Sequence, residues 1–172
     1  MKQRVNILTT GGTIEKSYCE ADGSVKNMES QLKARLLARL RLPHTEFWVE
    51  EIMAKDSLDM TEGDRQLIFE RVQVTSQDGN PIVVLHGTDT MEKTLRYCYS
   101  QLPRPPVPVI FTGAMTPAGF IDSDAQQNFT EALYASQIVA PGFYISFHGA
   151  LFSAPHVTKN HQRGTFEETD FK

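Results

Sequence analysis

The sequence is short of the residues that mark several protein classes. Two cysteines, Cys19 and Cys98, in a chain of 172 residues cannot supply a disulfide framework. Met1-Lys2-Gln3-Arg4 runs straight into a polar-interrupted strand pattern, with no long apolar leader region. No apolar run approaches the ~20 residues that cross a bilayer, so a soluble, cytoplasmic protein with no membrane partner is expected. Basic excess is missing as well: 17 Lys and Arg face 21 Asp and Glu, for a net charge of −4. That balance argues against a nucleic-acid partner, whose phosphates must be neutralised. Neither G-x-G-x-x-G nor a Walker pattern ending in Gly-Lys-Ser/Thr occurs, which removes the two common phosphate-binding turns. His148, His156 and His161 fit no compact ligand spacing, and no metal site is assigned to them.

What is present is an ordinary globular composition, 40% hydrophobic and 22% charged. A single domain over residues 1–172 is expected, large enough to bury a core without staples. Apolar β-branched runs and helical periodicities alternate at the spacing of βαβ units, which predicts an α/β fold: an open, mostly parallel sheet flanked by helices. Strands are expected at residues 4–9, 46–53, 82–85, 107–111 and 144–147. Helices are expected at residues 29–40, 62–76, 90–102 and 125–139. Thr61 is placed to cap the second of these, with Leu67, Ile68, Val72 and Val74 as its apolar face. Asp122-Ser123-Asp124 is placed to cap the last. Lys33, Arg35, Arg39 and Arg41 read as a solvated face. Residues 15–27, with a Gly23-Ser24 turn signal, read as a long hairpin or mobile loop over a site, and residues 149–172 show no clear period.

Two strand-to-helix joints stand out. Ile82-Val83-Val84-Leu85 leads through His86-Gly87-Thr88-Asp89-Thr90 into the helix at Met91-Glu92-Lys93-Thr94. Arg4 to Thr9 leads into Thr10-Gly11-Gly12-Thr13-Ile14. In parallel sheets such joints lie at the carboxyl ends of strands, where ligands bind. Asp89 followed three residues later by Glu92 also fits a capping box, and Gly87 fits plain turn chemistry. The recurrence of Gly beside Thr at both joints points to hydroxyl chemistry rather than a phosphate cradle. Cys19 has no histidine nearby in sequence and reads as incidental.

Thr10-Gly11-Gly12-Thr13-Ile14 together with His86-Gly87-Thr88-Asp89-Thr90-Met91 resembles the two signature segments of the bacterial-type L-asparaginases, which hydrolyse the side-chain amide of asparagine. Asp56-Ser57-Leu58-Asp59-Met60-Thr61, Phe111-Thr112-Gly113-Ala114-Met115 and Val157-Thr158-Lys159-Asn160 resemble further segments of that family. The resemblance implies an amidohydrolase that uses neither metal nor organic cofactor. It implies Thr13 as nucleophile with Tyr18 as its helper, and a hydrogen-bonded set of Thr88, Asp89 and Lys159 across the scissile amide. Thr88 would position or activate water, Asp89 would hold the substrate's α-amino group, and Ser57 its α-carboxylate. Gly12 would line the substrate site. A lysine beside a carboxylate tends to stay charged, which favours Lys159 as an electrostatic stabiliser over a base. The N–H groups at Gly12-Thr13 and Gly113-Ala114 are candidate oxyanion donors.

The sequence departs from the family at Leu58, where relatives carry a polar residue, and glutamine or another small amide is therefore an alternative substrate. Familiar members also carry a second α/β domain beyond this point, so a chain of one domain is expected to bind substrate more weakly, and a homo-oligomer is expected to cover its apolar face. A non-catalytic amino-acid-binding module is the alternative from outside enzymology.

Overall fold

The structure is a computed structural model that describes residues 2–27 and 35–170. Its centre is a six-stranded sheet in the order β4-β1-β5-β6-β7-β8. Strand β1 spans Gln3–Gly11, β4 Thr45–Lys55, β5 Ile82–Leu85, β6 Pro108–Thr112, β7 Gly142–Phe147 and β8 Ala150–Ser153. Neighbouring strands run parallel except at the β7–β8 edge. The predicted mostly parallel sheet is the one observed, and β5 occupies the predicted residues.

Three helices connect the strands among the described residues: α1 (Glu62–Thr75) between β4 and β5, α2 (Met91–Gln101) between β5 and β6, and α3 (Ala125–Ile138) between β6 and β7. Alternation along β5 explains how both sheet faces are covered, because successive side chains point to opposite sides. Ile82 and Val84 pack with Ile68 and Val72 of α1 and Met91, Leu95 and Cys98 of α2. Val83 and Leu85 pack on the other side with Phe129, Ala132 and Leu133 of α3.

Thr61 caps α1 as expected, in a capping box closed by Asp64. The predicted apolar face of α1 needs correction: Ile68 and Val72 are fully buried, but Leu67 and Val74 are 40% and 53% exposed. A one-residue step along a helix turns a side chain by roughly 100°, and only the i, i+4 pair faces the sheet. The first half of the predicted helix over residues 29–40 lies outside the described residues; the rest ends in a 3-10 turn, Leu37–Arg39. Residues 15–27 do contain a hairpin, with β2 (Lys16–Cys19) paired antiparallel to β3 (Ser24–Asn27). The unpatterned C-terminal stretch adds β8 to the sheet edge and forms a second hairpin of β9 (Val157–Asn160) and β10 (Thr165–Glu168).

The strand order matters for function. From β1 the chain moves to β4 on one side, then crosses over to β5 on the other, so the direction of winding reverses between β1 and β5. In open parallel sheets the carboxyl-end edge at such a reversal is where ligands bind.

Candidate active site

The two Gly-Thr joints both lie at this edge, directly after β1 and β5. Parallel register places Thr9 beside Leu85 and Leu85 beside Thr112, so the chains that follow β1, β5 and β6 emerge side by side. Short hydrogen bonds stitch the strand ends together: Thr10 Oγ1 donates to the Leu85 carbonyl at 2.8 Å, and the His86 N–H to the Thr112 carbonyl at 2.9 Å.

The glycines are there because backbones touch. Gly12 has φ 84°, and a Cβ on it would lie 2.4 Å from the Gly87 Cα. A Cβ on Gly87 would in turn lie 2.6 Å from the Ser57 Cβ and Oγ. Three segments far apart in sequence therefore meet at van der Waals contact, and only residues without a side chain allow it. Thr13 opens a 3-10 turn immediately after Gly12 and is half-buried. The Glu15 carboxylate accepts the Gly11 N–H at 2.9 Å and fixes this turn.

Lys159 Nζ donates to Thr88 Oγ1 at 2.7 Å and to Asp89 Oδ1 at 2.6 Å. The lysine side chain is 4% exposed and the aspartate 35%. Asp89 thus faces the lysine, and the sequence alternative of a capping box with Glu92 is not what forms: Thr90 occupies the N-cap of α2 without a side-chain cap. Thr90 Oγ1 donates instead to the Ser57 carbonyl at 2.8 Å. Thr88 Oγ1 donates to Met115 Sδ at 3.7 Å, a weak acceptor that leaves the hydroxyl proton available to a better one.

The other predicted residues are placed as follows. Ser57 sits in a 3-10 turn, 1% exposed, and its Oγ is buried with no hydrogen-bond partner among the described residues. Leu58 beside it is 71% exposed. Tyr18 lies on β2 and is 58% exposed, with its hydroxyl beside Gly23 at the hairpin tip. The Gly12 N–H is already committed to the Lys55 carbonyl at 3.0 Å, which removes it as an oxyanion donor. Lys16 Nζ pairs with Asp56 at 2.5 Å, tying the hairpin base to the Ser57 turn and holding the Asp56 carboxyl below its usual range.

Sequence reasoning did not find Arg96 or Asp124. The Arg96 guanidinium on α2 donates to the carbonyls of Pro155 and Val157 and so anchors the start of β9. Asp124 does not cap α3 with its own side chain, as Asp122-Ser123-Asp124 suggested; Ser123 Oγ accepts the Ala125 N–H, while Asp124 accepts the N–H groups of Met115 and Thr116. No local pattern marks such residues, because their partners lie elsewhere in the chain. Among the described residues no group of His, Cys, Asp and Glu is arranged to hold a metal.

The family described as "Asparaginase, N-terminal" matches residues 4–172. The chain belongs to the asparaginase family. It is 32% identical to L-asparaginase 1 of Escherichia coli strain K12 over 171 residues, 95% of this chain and 49% of that protein. The thermostable L-asparaginase from Thermococcus kodakarensis superposes with a TM-score of 0.88 at 27% identity, covering 99% of this chain and 52% of that one. Similarity extends to a glutamyl-tRNA(Gln) amidotransferase component of Nanoarchaeum equitans, 31% identical over 134 residues, 77% of this chain and 33% of that protein. The chain spans about half the length of the curated asparaginases it matches. No helix among the described residues is long and apolar enough to cross a membrane.

Proposed function

We propose that this chain is an amidohydrolase that converts L-asparagine to L-aspartate and ammonia, with Thr13 as nucleophile. The observation that carries the reading is the buried Lys159 ammonium, hydrogen-bonded to both Thr88 and Asp89 at the sheet edge where the Gly12 and Gly87 backbones meet. Family membership supports the reaction class.

In the proposed sequence, Thr13 Oγ adds to the amide carbon while its proton passes toward the departing nitrogen, and ammonia leaves an acyl ester on Thr13. Water held at Thr88 then adds to that ester, aspartate departs, and the proton returns to Thr13. Lys159 orients the Thr88 hydroxyl by donating to it, so that the hydroxyl's own proton points away from the lysine. Asp89, half-exposed at this edge, binds the α-amino group, and the unpartnered Ser57 hydroxyl supports a role at the α-carboxylate. The role of Tyr18 as helper to Thr13 is part of this proposal. Exposed Phe120, Ile121, Tyr134 and Ile138 along α3 and the loop before it support a homo-oligomer.

Ammonia release from L-asparagine by the purified protein tests the reading, alongside folded Thr13→Ala and Thr88→Val variants. Loss of turnover in both is expected; a folded wild-type protein inert on asparagine and glutamine overturns it. Exposed Leu58 next to Ser57, and the match to an amidotransferase component, favour a second reading in which another small amide is the substrate. Higher kcat/KM on glutamine than on asparagine is the outcome that selects it. Thermal stabilisation by aspartate without any turnover selects a binding module instead.

A further inference from the structure

Outside the segments that resemble the family, one side-chain bridge links the two structures that flank Thr88. The Asp124 carboxylate at the start of α3 accepts the Met115 and Thr116 N–H groups at 3.0 Å and Asn128 Nδ2 at 2.9 Å. Its Oδ2 also lies 2.8 Å from His148 Nε2. Burial works to raise the Asp124 pKa, but these donors outweigh it and hold the carboxyl below its usual range. As Asp124 accepts, His148 Nε2 donates. The other ring nitrogen, Nδ1, is 3.1 Å from Thr165 Oγ1. A hydroxyl can both donate and accept, so this second contact holds with Nδ1 bare or protonated.

The placement of this imidazole is over-determined. His148 has φ 49°, the left-handed region that a non-glycine residue rarely adopts, and it is alone in this among the described non-glycine residues. Its N–H donates to Asn128 Oδ1 at 3.0 Å, the following Gly149 N–H donates to Glu131 Oε2 at 2.8 Å, and the ring packs on Phe147 at 4.2 Å between centroids. Asp124, at the N-cap of α3, and Glu131, within it, are thus the charged groups bonded to this corner.

The two ends of the bridge lead to two partners of the Thr88 hydroxyl. Met115, whose N–H is held by Asp124, brings its sulfur to 3.7 Å from Thr88 Oγ1. Thr165 begins β10 and pairs with Asn160, one residue from Lys159, which pairs with Phe166. We propose that His148 is a positioning residue: through Asp124 and Thr165 it fixes the distance between the loop at Met115 and the hairpin that carries Lys159, and so holds Thr88 between them. This inference rests on the amidohydrolase reading for its effect on turnover, but not for the mechanical link itself.

The test uses the full chain with Thr165→Val, which removes the hydroxyl and keeps size and β-branching, and His148→Ala, which removes the ring. Both are expected to lower kcat on L-asparagine ~10-fold with KM within about threefold, since small misplacements of a catalytic group act on the chemical step. The double variant is expected to be no worse than His148→Ala alone, because both act through one bridge. Additive losses, or unchanged kcat in the folded single variants, overturn the proposal. Amide hydrogen exchange provides the independent readout: Thr165→Val, on β10, is expected to speed exchange at residues 113–116, at the other end of the bridge. Unchanged exchange there overturns the link even if the wild-type protein proves inactive, whereas faster exchange in an inactive protein supports the bridge and rejects only the amidohydrolase reading.

Discussion

At the residue scale the decisive group is Lys159, buried and shared between Thr88 Oγ1 and Asp89 Oδ1. Lys159→Met keeps the volume of the stem and removes the ammonium, so kcat for ammonia release is expected to fall by roughly 10²-fold or more, the range for losing a preorganised donor at a reacting group. Asp89 is partly exposed and can be solvated when its partner is gone, so circular dichroism should show the variant folded. The two thiols give a second prediction. Cys98 is fully buried in α2, and burial pushes its pKa up to about 12, whereas Cys19 is only half-buried on the hairpin. An Ellman titration of the native protein should count one fast thiol, lost in Cys19→Ser, with the second appearing only in denaturant. Little of this residue-level detail could be read locally. Asp89 followed by Glu92 fits a cap as well as it fits a site, and it is the arrival of Lys159, 70 positions away in the chain, that settles which carboxylate partner forms.

Elements carry predictions about where stability and activity separate. Thr61→Ala breaks the capping box of α1, a helix end whose cap bonds to Asp64 and not to the candidate site residues. The expected cost is about 1 kcal/mol, a Tm lower by about 2–4 °C for a chain of this size, with kcat unchanged. Gly12→Ala behaves differently. Its new Cβ would meet the Gly87 backbone at 2.4 Å, and its φ of 84° disfavours any side chain, so the β1 and β5 loops must part. Both stability and turnover are expected to fall, the former by about 2 kcal/mol or more; a normal urea midpoint with normal activity would contradict the contact. The glycine was legible in the sequence as a turn residue, but the surface it turns against was not. Capping is local and reads directly from Thr61, while β8, β9 and β10 lack the unbroken apolar run of the equally short β5 and form only because a partner strand is offered to them.

For the whole molecule, the pH dependence of folding is expected to centre on His86. It is fully buried at the end of β5, its Nε2 lies 2.8 Å from Thr94 Oγ1 and its Nδ1 2.8 Å from the Gly87 carbonyl, and burial depresses its pKa from 6.5 to about 4. A proton is then bound more readily by the unfolded chain, so stability is fully present above pH ~6.5 and is lost as pH falls toward ~4, by roughly 3 kcal/mol over the interval. The Asp64 carboxyl, lowered to about 2 chiefly by its hydrogen bond from Lys55, acts in a more acidic window, where its stabilisation is lost as pH falls from about 4 through about 2. Urea midpoints measured at pH 7 and pH 5 should therefore differ in the wild type and differ much less in His86→Gln. Equal pH dependence in the two would show that another group titrates.

What the sequence alone determined is what depends on near neighbours: the alternation of strand and helix, the run Ile82–Leu85, the cap at Thr61, and the Gly-Thr turns that follow β1 and β5. These follow from side-chain period, turn chemistry and backbone freedom, all set within a few residues. What only the tertiary structure decided is the strand order that reverses between β1 and β5, the contacts of Gly12 with Gly87 and of Gly87 with Ser57, the pairing of Lys159 with Thr88 and Asp89, and the bridge from Asp124 through His148 to Thr165. Each joins residues separated by 17 to 75 positions, and such contacts depend on parallel register and crossover direction, which leave no local mark in the chain.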